Sequence, residues 1–333
     1  MRDKRDYSLK AHNTFGIEAR CKRYIEYINI EEAQETARIL RKERQPYLII
    51  GAGSNLLLTR DFEGTVVRSA LQLTHFDEER LNCGSGVEWD NLVEHCLMSG
   101  FYGAENLSLI PGDVGAVAVQ NIGAYGVEAK DIIERVWAVE IVTGELKVFS
   151  REECEYGYRW SKFKGAWHNQ YLITQVDFQL SREFRPHLDY GNIRQELERR
   201  GITTPTPEEL RQVIIDLRRA KLPDPKELGN AGSFFMNPVV SRDQYEELAA
   251  RYENMPHYYI DEDHEKIPAG WMIEQCGWKG RSLGRAGVYD RQALVLVNKG
   301  DATGEDILRL CHAVQHDVRD KFGIDLQPEV NIV

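Results

Sequence analysis

Apolar residues recur along the chain at two spacings, one helical and one alternating, and the switches between them mark out its elements. Ala33, Ala37 and Leu40 follow Asn29 and Glu32 at helical spacing, the latter two placed as a capping box. The run Tyr47-Leu-Ile-Ile-Gly51 reads as a buried strand entering a tight turn, and residues 65–69 as a further strand. Leu92, Val93, Cys96 and Leu97 line a short helix that Asp90 is placed to cap and Gly100 to end. Strand patterns return at 133–142, turn at Thr143-Gly144 and continue at 146–149. Residues 171–180 put Leu172, Thr174, Val176, Phe178 and Leu180 on one face. Thr206-Pro-Glu-Glu209 starts another helix, which Val213, Ile214 and Leu217 carry on until Leu222-Pro-Asp-Pro225 breaks it. A long final helix begins near Thr303, buries Ile307, Leu310, Cys311, Val314, Val318 and Phe322, and ends at Gly323. The extended tail 326–333 must pair somewhere, and the N-terminal portion is its expected partner.

Residues 103–126 fit neither period. They hold glycines at 103, 112, 115, 123 and 126 among other small residues, and an ordered loop of that composition is costly unless its backbone binds something. The irregular alternation of helix and strand, with no fixed-period repeat, gives an α+β fold class, mixed rather than doubly wound. The texture changes near 200–220, where a domain boundary is expected.

Composition narrows the function. The 333 residues are 42% hydrophobic and carry a formal net charge of −11, which argues against non-specific nucleic-acid binding. No apolar run reaches the roughly 20 residues that span a bilayer, and the start has no signal-peptide pattern. A cytoplasmic protein, with neither nucleic acid nor membrane as partner, is expected. The six cysteines show no C-x-x-C pair, so neither a disulfide framework nor a zinc site is expected. His312 and His316 are four apart on a helix but lack the glutamate of a metalloprotease signature, so no metal is assigned.

Two segments carry candidate chemistry. Gly51-Ala-Gly-Ser-Asn55 follows a strand, but Leu56 stands where a Rossmann fingerprint needs its third glycine, and no crossover helix follows. What survives is a turn whose backbone N–H groups could cradle a pyrophosphate. Ile110-Pro-Gly-Asp-Val-Gly-Ala116 and Gln120-Asn-Ile-Gly-Ala-Tyr-Gly126 add two stretches that a flat or phosphorylated ligand could approach closely.

With Asn13-Thr-Phe-Gly16, Tyr158-Arg159, Gly232-Ser-Phe-Phe235, Asn237-Pro238, Ala269-Gly-Trp271 and Pro328-Glu-Val330, these segments run in one order almost end to end. In this the chain resembles the UDP-N-acetylenolpyruvoylglucosamine reductases (UDP-N-acetylmuramate dehydrogenases) of the vanillyl-alcohol-oxidase-like, or PCMH-type, FAD-binding superfamily. The resemblance implies a reductase using NADPH and non-covalent FAD to convert UDP-N-acetylglucosamine enolpyruvate to UDP-N-acetylmuramate, expected here as a monomer. It implies FAD-binding subdomains at 1–70 (with the strand 324–333) and 71–205, and a substrate-binding domain at 206–323. FAD would lie on Gly51, Ala52, Gly53, Ser54, Asn55, Leu56, Ile110, Pro111, Gly112, Gly115, Gln120, Asn121, Gly123, Ala124, Tyr125 and Gly126. Arg159 matches the catalytic arginine, Ser233 the proton donor and Glu329 the catalytic glutamate; Tyr190, Lys221, Asn237 and Gln292 match UDP-sugar contacts. Tyr190 lies in a segment typical of the subgroup that closes a loop over its substrate. Two positions depart from the pattern: Met236 replaces the common Lys, and Asp113 the more usual Thr or Ser.

The residue types suit the chemistry. An enol ether accepts hydride poorly until its carboxylate is polarised, and a planar, permanently charged guanidinium such as that of Arg159 holds a carboxylate by two hydrogen bonds. Ser233 is a weak acid that needs a neighbour to make it a proton donor. Two other readings remain open at this level: an oxidase on the same fold, and a non-catalytic nucleotide-sugar binder. Oxidases of this fold often hold FAD through His or Cys, and the flavin segments contain neither. Denaturing the purified protein is therefore expected to release all its flavin into the supernatant; flavin left on the polypeptide favours the oxidase, and no flavin at all the binder.

Overall fold

The computed structural model describes residues 1–333 and divides the chain into two compact units. The first comprises residues 1–7, 21–52 and 62–219; the second comprises 8–20, 53–61 and 220–333.

In the first unit the strands Arg20–Tyr27 and Tyr47–Ile50 flank Phe62–Ser69 in parallel, with Arg2–Ser8 on the outer edge. Such pairing needs a crossover, and the helix Ile30–Glu43 supplies it, burying Ala33, Ala37 and Leu40 as their spacing required. Asn29 caps it by accepting from the Glu32 N–H at 2.8 Å. The Glu32 carboxylate accepts from Ile28 instead of Asn29, so only half of the expected box forms.

The second sheet of this unit is antiparallel, in the order Leu146–Ser150, Ile133–Glu140, Tyr171–Gln179, Arg80–Gly84, Thr74–Asp77. Its central strand buries Leu172, Thr174, Val176 and Phe178 as expected, and Ile173 and Asp177 on the other face as well. Both faces are covered, so strict alternation is lost. Buried Asp177 is satisfied by Asn82, Trp137 and Arg135, at 2.5, 2.9 and 3.0 Å.

Two expectations are corrected here. Asp90 does not cap its helix, which spans Trp89–Met98 with Glu88 at the N-cap position. Trp89 is buried and bonds the Leu107 carbonyl at 2.9 Å, which draws the first turn back by one residue. Asp90 instead accepts from the Leu109 N–H and pairs with Arg211 at 2.7 Å. The stretch 103–126 is not simply a loop: it contains a 3-10 turn Glu105–Leu107, a helix Val114–Gln120 and the segment Gly123–Ala124, which pairs with Val127–Glu128 just beyond it. Val114, Val117 and Ala118 bury one face of that helix, but two turns are too few to show a period in the sequence.

The second unit has the antiparallel sheet Asn230–Ser233, Val295–Asn298, Ala286–Val288, Ser282–Leu283 and a three-stranded sheet Val239–Ser241, His264–Lys266, Tyr258–Tyr259. The helix Gly304–Phe322 packs its predicted stripe into one cluster with Phe15, Leu57, Phe234 and Phe235. Thr303 and Asp306 cap it reciprocally, and Gly323, at φ 68°, ends it by donating to the Arg319 carbonyl at 2.8 Å. The tail does return to an early segment, since Asn331–Ile332 pairs in parallel with Leu56–Leu57. Those two residues are a strand rather than a helix, as the failed Rossmann reading requires.

Close backbone approach sets the dock of the final helix. A Cβ on Gly304 would stand 1.9 Å from the Leu58 carbonyl oxygen. Gly304→Ala is accordingly expected to cost about 1–3 kcal/mol through forced displacement of the helix start, seen as a lower midpoint in denaturant unfolding.

Candidate active site

Within the first unit the glycine-rich segments form a track of small, half-exposed residues: Gly51, Ala52, Gly115, Ala116, Gly123 and Ala124. Gly51 lies against the helix Val114–Gln120, where its Cβ would come 3.1 Å from that of Ala116. Gly115 backs onto Ser85, which a Cβ would meet at 2.9 Å. Ile110, Gln120 and Tyr125 flank the track half-exposed; Pro111 and Gly126 are exposed, Gly112 and Asn121 buried.

Arg159 is anchored directly on this track. Its guanidinium donates to the Gly123 carbonyl at 2.7 Å, and a Cβ on Gly123 would collide with it at 2.9 Å. The Arg159 backbone is left-handed, at φ 52°. That costs a non-glycine residue about 1 kcal/mol or more and is kept only where surroundings impose it. Lys164 helps to impose it, bonding the Arg159 carbonyl and Gln120 Oε1, each at 3.0 Å. Asn121 adds a bond to the Gly157 carbonyl at 2.8 Å. Tyr190 is exposed, with its Cβ beside Gly126, and Asn106 ties the two stretches by bonding the Tyr125 and His187 carbonyls at 2.9 Å. Arg218 bonds the Leu109 carbonyl at 3.3 Å; burial lowers its pKa, Tyr125 and Asp90 oppose this, and Arg159 adds to it.

The second unit brings Ser233 and Glu329 alongside one another. Phe235 pairs with Pro328, and the Glu329 N–H donates to the Phe234 carbonyl at 2.8 Å, so the tail runs antiparallel to the segment that Ser233 begins. Asn55 joins them, its side-chain amide bonding the Glu329 carbonyl at 3.2 Å. Gly53 is pinned beneath this turn: its Cβ would lie 2.0 Å from the His12 carbonyl oxygen. Ser54 is half-exposed and Leu56 buried. Asn237 and Gln292 meet the start of the helix Ala269–Gln275. Asn237 Oδ1 accepts from the Ala269 N–H at 2.9 Å, and Gln292 Oε1 would be 3.0 Å from a Cβ on Gly270. Lys221 is exposed at the end of Pro207–Lys221, and Met236 is half-buried.

Asp113, the second departure, is buried and bonded to Arg68 at 3.1 Å, an arrangement that compensates the acid without exposing it to solvent. The sequence reading missed Arg68, Lys164 and Asn106. A cation inside an otherwise apolar strand was a signal for Arg68; Lys164 and Asn106 carried none. No group of three or more His, Cys, Asp or Glu could hold a metal ion, and His312 and His316 are both exposed.

The fold and the glycine track together define a flavin-binding protein. The FAD binding domain family matches residues 22–150. A solved UDP-N-acetylenolpyruvylglucosamine reductase from Thermus caldophilus superposes with a TM-score of 0.70 at 24% identity, over 100% of this chain and 99% of that one. p-Cresol methylhydroxylase superposes at 0.50 with 12% identity, over 94% and 82%. The fold is thus α+β of the p-cresol methylhydroxylase type.

The family describing the C-terminal domain of UDP-N-acetylenolpyruvoylglucosamine reductase matches residues 224–333. Curated reductases of that name from Bacteroides fragilis and Burkholderia multivorans are 51% and 44% identical, over 98% and 97% of this chain and 99% and 95% of theirs. The chain belongs to the UDP-N-acetylenolpyruvoylglucosamine reductase family and is an FAD-binding oxidoreductase.

Because Lys164 grips the backbone of Arg159 rather than its charge, Lys164→Met is expected to lower kcat about tenfold while leaving flavin content and the thermal midpoint near the parent's. Steady-state kinetics alongside the flavin-to-protein absorbance ratio checks this.

Proposed function

We propose that the chain catalyses the NADPH-dependent reduction of UDP-N-acetylglucosamine enolpyruvate to UDP-N-acetylmuramate, using non-covalent FAD, in peptidoglycan precursor synthesis. It does so as a cytoplasmic monomer, with neither membrane nor nucleic acid as partner, and so serves cell-wall growth, shape and division. Residues 1–70 with 324–333, and 71–205, hold the cofactor; residues 206–323 hold the UDP-sugar.

The observation that supports this reading most is the main-chain pairing of the tail with the segment of Ser233, which brings the backbones of Ser233 and Glu329 close together. The track of missing Cβ atoms fits a flat, phosphorylated cofactor, and a buried Arg68 nitrogen without a partner fits an anion. When bound, FAD supplies a carrier that takes a hydride from NADPH and gives it to the methylene carbon of the enol ether.

The protein's own residues do the rest. Arg159 binds the substrate carboxylate and draws charge off the alkene; as hydride arrives, negative charge grows on the α-carbon and carboxylate, and a fixed cation there stabilises it. Ser233 Oγ gives its proton to the α-carbon, so the double bond gains one hydride and one proton. Glu329, as the neutral acid that desolvation by a bound substrate favours, donates a hydrogen bond to the substrate carboxylate. Tyr190, Lys221, Asn237 and Gln292 hold the UDP-sugar.

Anaerobic mixing tests the proposal: protein reduced with NADPH is given UDP-N-acetylglucosamine enolpyruvate while the flavin absorbance is followed. Rapid return of the oxidised spectrum is expected, and a spectrum that stays bleached points to a different acceptor. In Ser233→Ala, bleaching by NADPH is expected to proceed at the parent's rate while reoxidation slows at least about a hundredfold. Equal slowing of both halves removes Ser233 from the proton-donor role.

A further inference from the structure

Arg68 sits near the C-terminal end of the strand Phe62–Ser69, in register with Ile50 on one side and Glu26 on the other. Ile50 is followed directly by Gly51, so the guanidinium lies where the parallel strands give way to the glycine turn. Ligands of parallel sheets collect at that end of the strands. Arg68 bonds Asp113 Oδ2 at 3.1 Å and Glu26 Oε2 at 3.4 Å, while its Nε is enclosed without any partner. A buried donor left unsatisfied costs about 1–3 kcal/mol, and an arriving acceptor would recover it. The Asp113 carboxylate flanks the same turn, with Oδ2 3.7 Å from where a Gly51 Cβ would stand.

A carboxylate in that place and a diphosphate on the turn are like charges, and the repulsion between them is large in a poorly solvated site. One of them must lose its charge or move. We propose that Arg68 is a binding residue for the cofactor's diphosphate, and that Asp113 is its exchangeable counter-ion, taking up one proton from solvent as the diphosphate arrives. The proposal rests on the reading of Gly51 and residues 110–126 as the FAD site.

The surroundings of Asp113 suit such an exchange. Arg68 faces it from Phe62–Ser69. Glu26 and Tyr24 stand behind Arg68 on Arg20–Tyr27, with the Tyr24 hydroxyl donating to Glu26 at 2.8 Å. Glu88 pairs with Asp113 across an isolated bridge. Burial pushes the Asp113 carboxyl up to about 6 against the pull of Arg68, with Glu88 and Glu26 adding to the rise. It is therefore largely ionised at neutral pH in the cofactor-free protein, yet inexpensive to protonate.

The sign of the pH effect follows. A nearby diphosphate raises the pKa of Asp113 further, so the FAD complex binds more protons than the free protein at pH above 6. FAD affinity must then fall as pH rises, by up to about tenfold per pH unit between pH about 6.5 and 8. The diphosphate of FAD is fully ionised throughout this range and adds no slope of its own.

The test is equilibrium binding, not turnover. Flavin is stripped from the full chain, FAD is titrated back at several pH values, and Kd is read from quenching of flavin fluorescence. The wild type is expected to weaken several-fold per pH unit, and Asp113→Asn to bind with a nearly constant Kd. Asp113→Thr provides a second neutral side chain if the Asn variant does not fold, and is expected to be equally flat. Arg68→Met is expected to bind FAD at least about tenfold more weakly at pH 7. A wild-type Kd that does not change with pH overturns the proposal while leaving the FAD site standing, as does a slope that survives in both Asp113 variants. An apoprotein that binds no FAD at any pH overturns the site reading itself.

Discussion

Backbone packed directly on backbone, at places where a single β-carbon would not fit, is the constraint on which much else depends. Gly53 lies against the His12 carbonyl, Gly304 against that of Leu58, and Gly115 against Ser85. Each contact fixes something larger than itself: the glycine turn, the seat of the longest helix, a stretch of the small-residue track. At Gly123 the same absence lets the Arg159 guanidinium lie on the track and bond its carbonyl. A guanidinium anchored in this way keeps a fixed position, and charge stabilisation in general depends on dipoles and ions that do not reorganise.

Electrostatics follows a second economy. The chain is acidic, at −11, yet the first unit places Arg159, Lys164, Arg218 and Arg68 around its glycine-rich segments. These cations are held by carbonyls as well as by carboxylates. Lys164 and Arg218 bond backbone oxygens, which orient a positive charge without neutralising it. Arg68 is the contrasting case, matched by two acids and still left with one enclosed nitrogen unbonded. One cation shared by two acids and keeping an enclosed free donor is the arrangement on which the proposed exchange at Asp113 rests.

The second unit joins two distant segments, those of Ser233 and Glu329, through their main chains. Main-chain pairing between the Phe235 region and Pro328-Glu329 sets the register of the two backbones by β geometry rather than by flexible contacts. Asn55 extends that pairing into the glycine turn. The paired segments are almost a hundred positions apart in the sequence, and no local pattern announces their meeting.

Much was legible without coordinates. The amphipathic stripes of Ile30–Glu43, Pro207–Lys221 and Gly304–Phe322, their caps, and the central strand Tyr171–Gln179 follow from local periodicity, because burial on one face leaves a period in the sequence. The ordered motifs likewise carried the family, because the chemistry needs particular residue types in fixed neighbourhoods. Tertiary structure decided the remainder. The helix Val114–Gln120 was too short to leave a period, Asp90 was drawn from cap to ion pair by the burial of Trp89, and Asp113 acquired its partner from a strand 45 residues away. Sequence alone therefore determined the longer amphipathic elements and the family, since both depend on neighbours along the chain. Which charge faces which, and which backbone tolerates no β-carbon, was left to packing between distant segments.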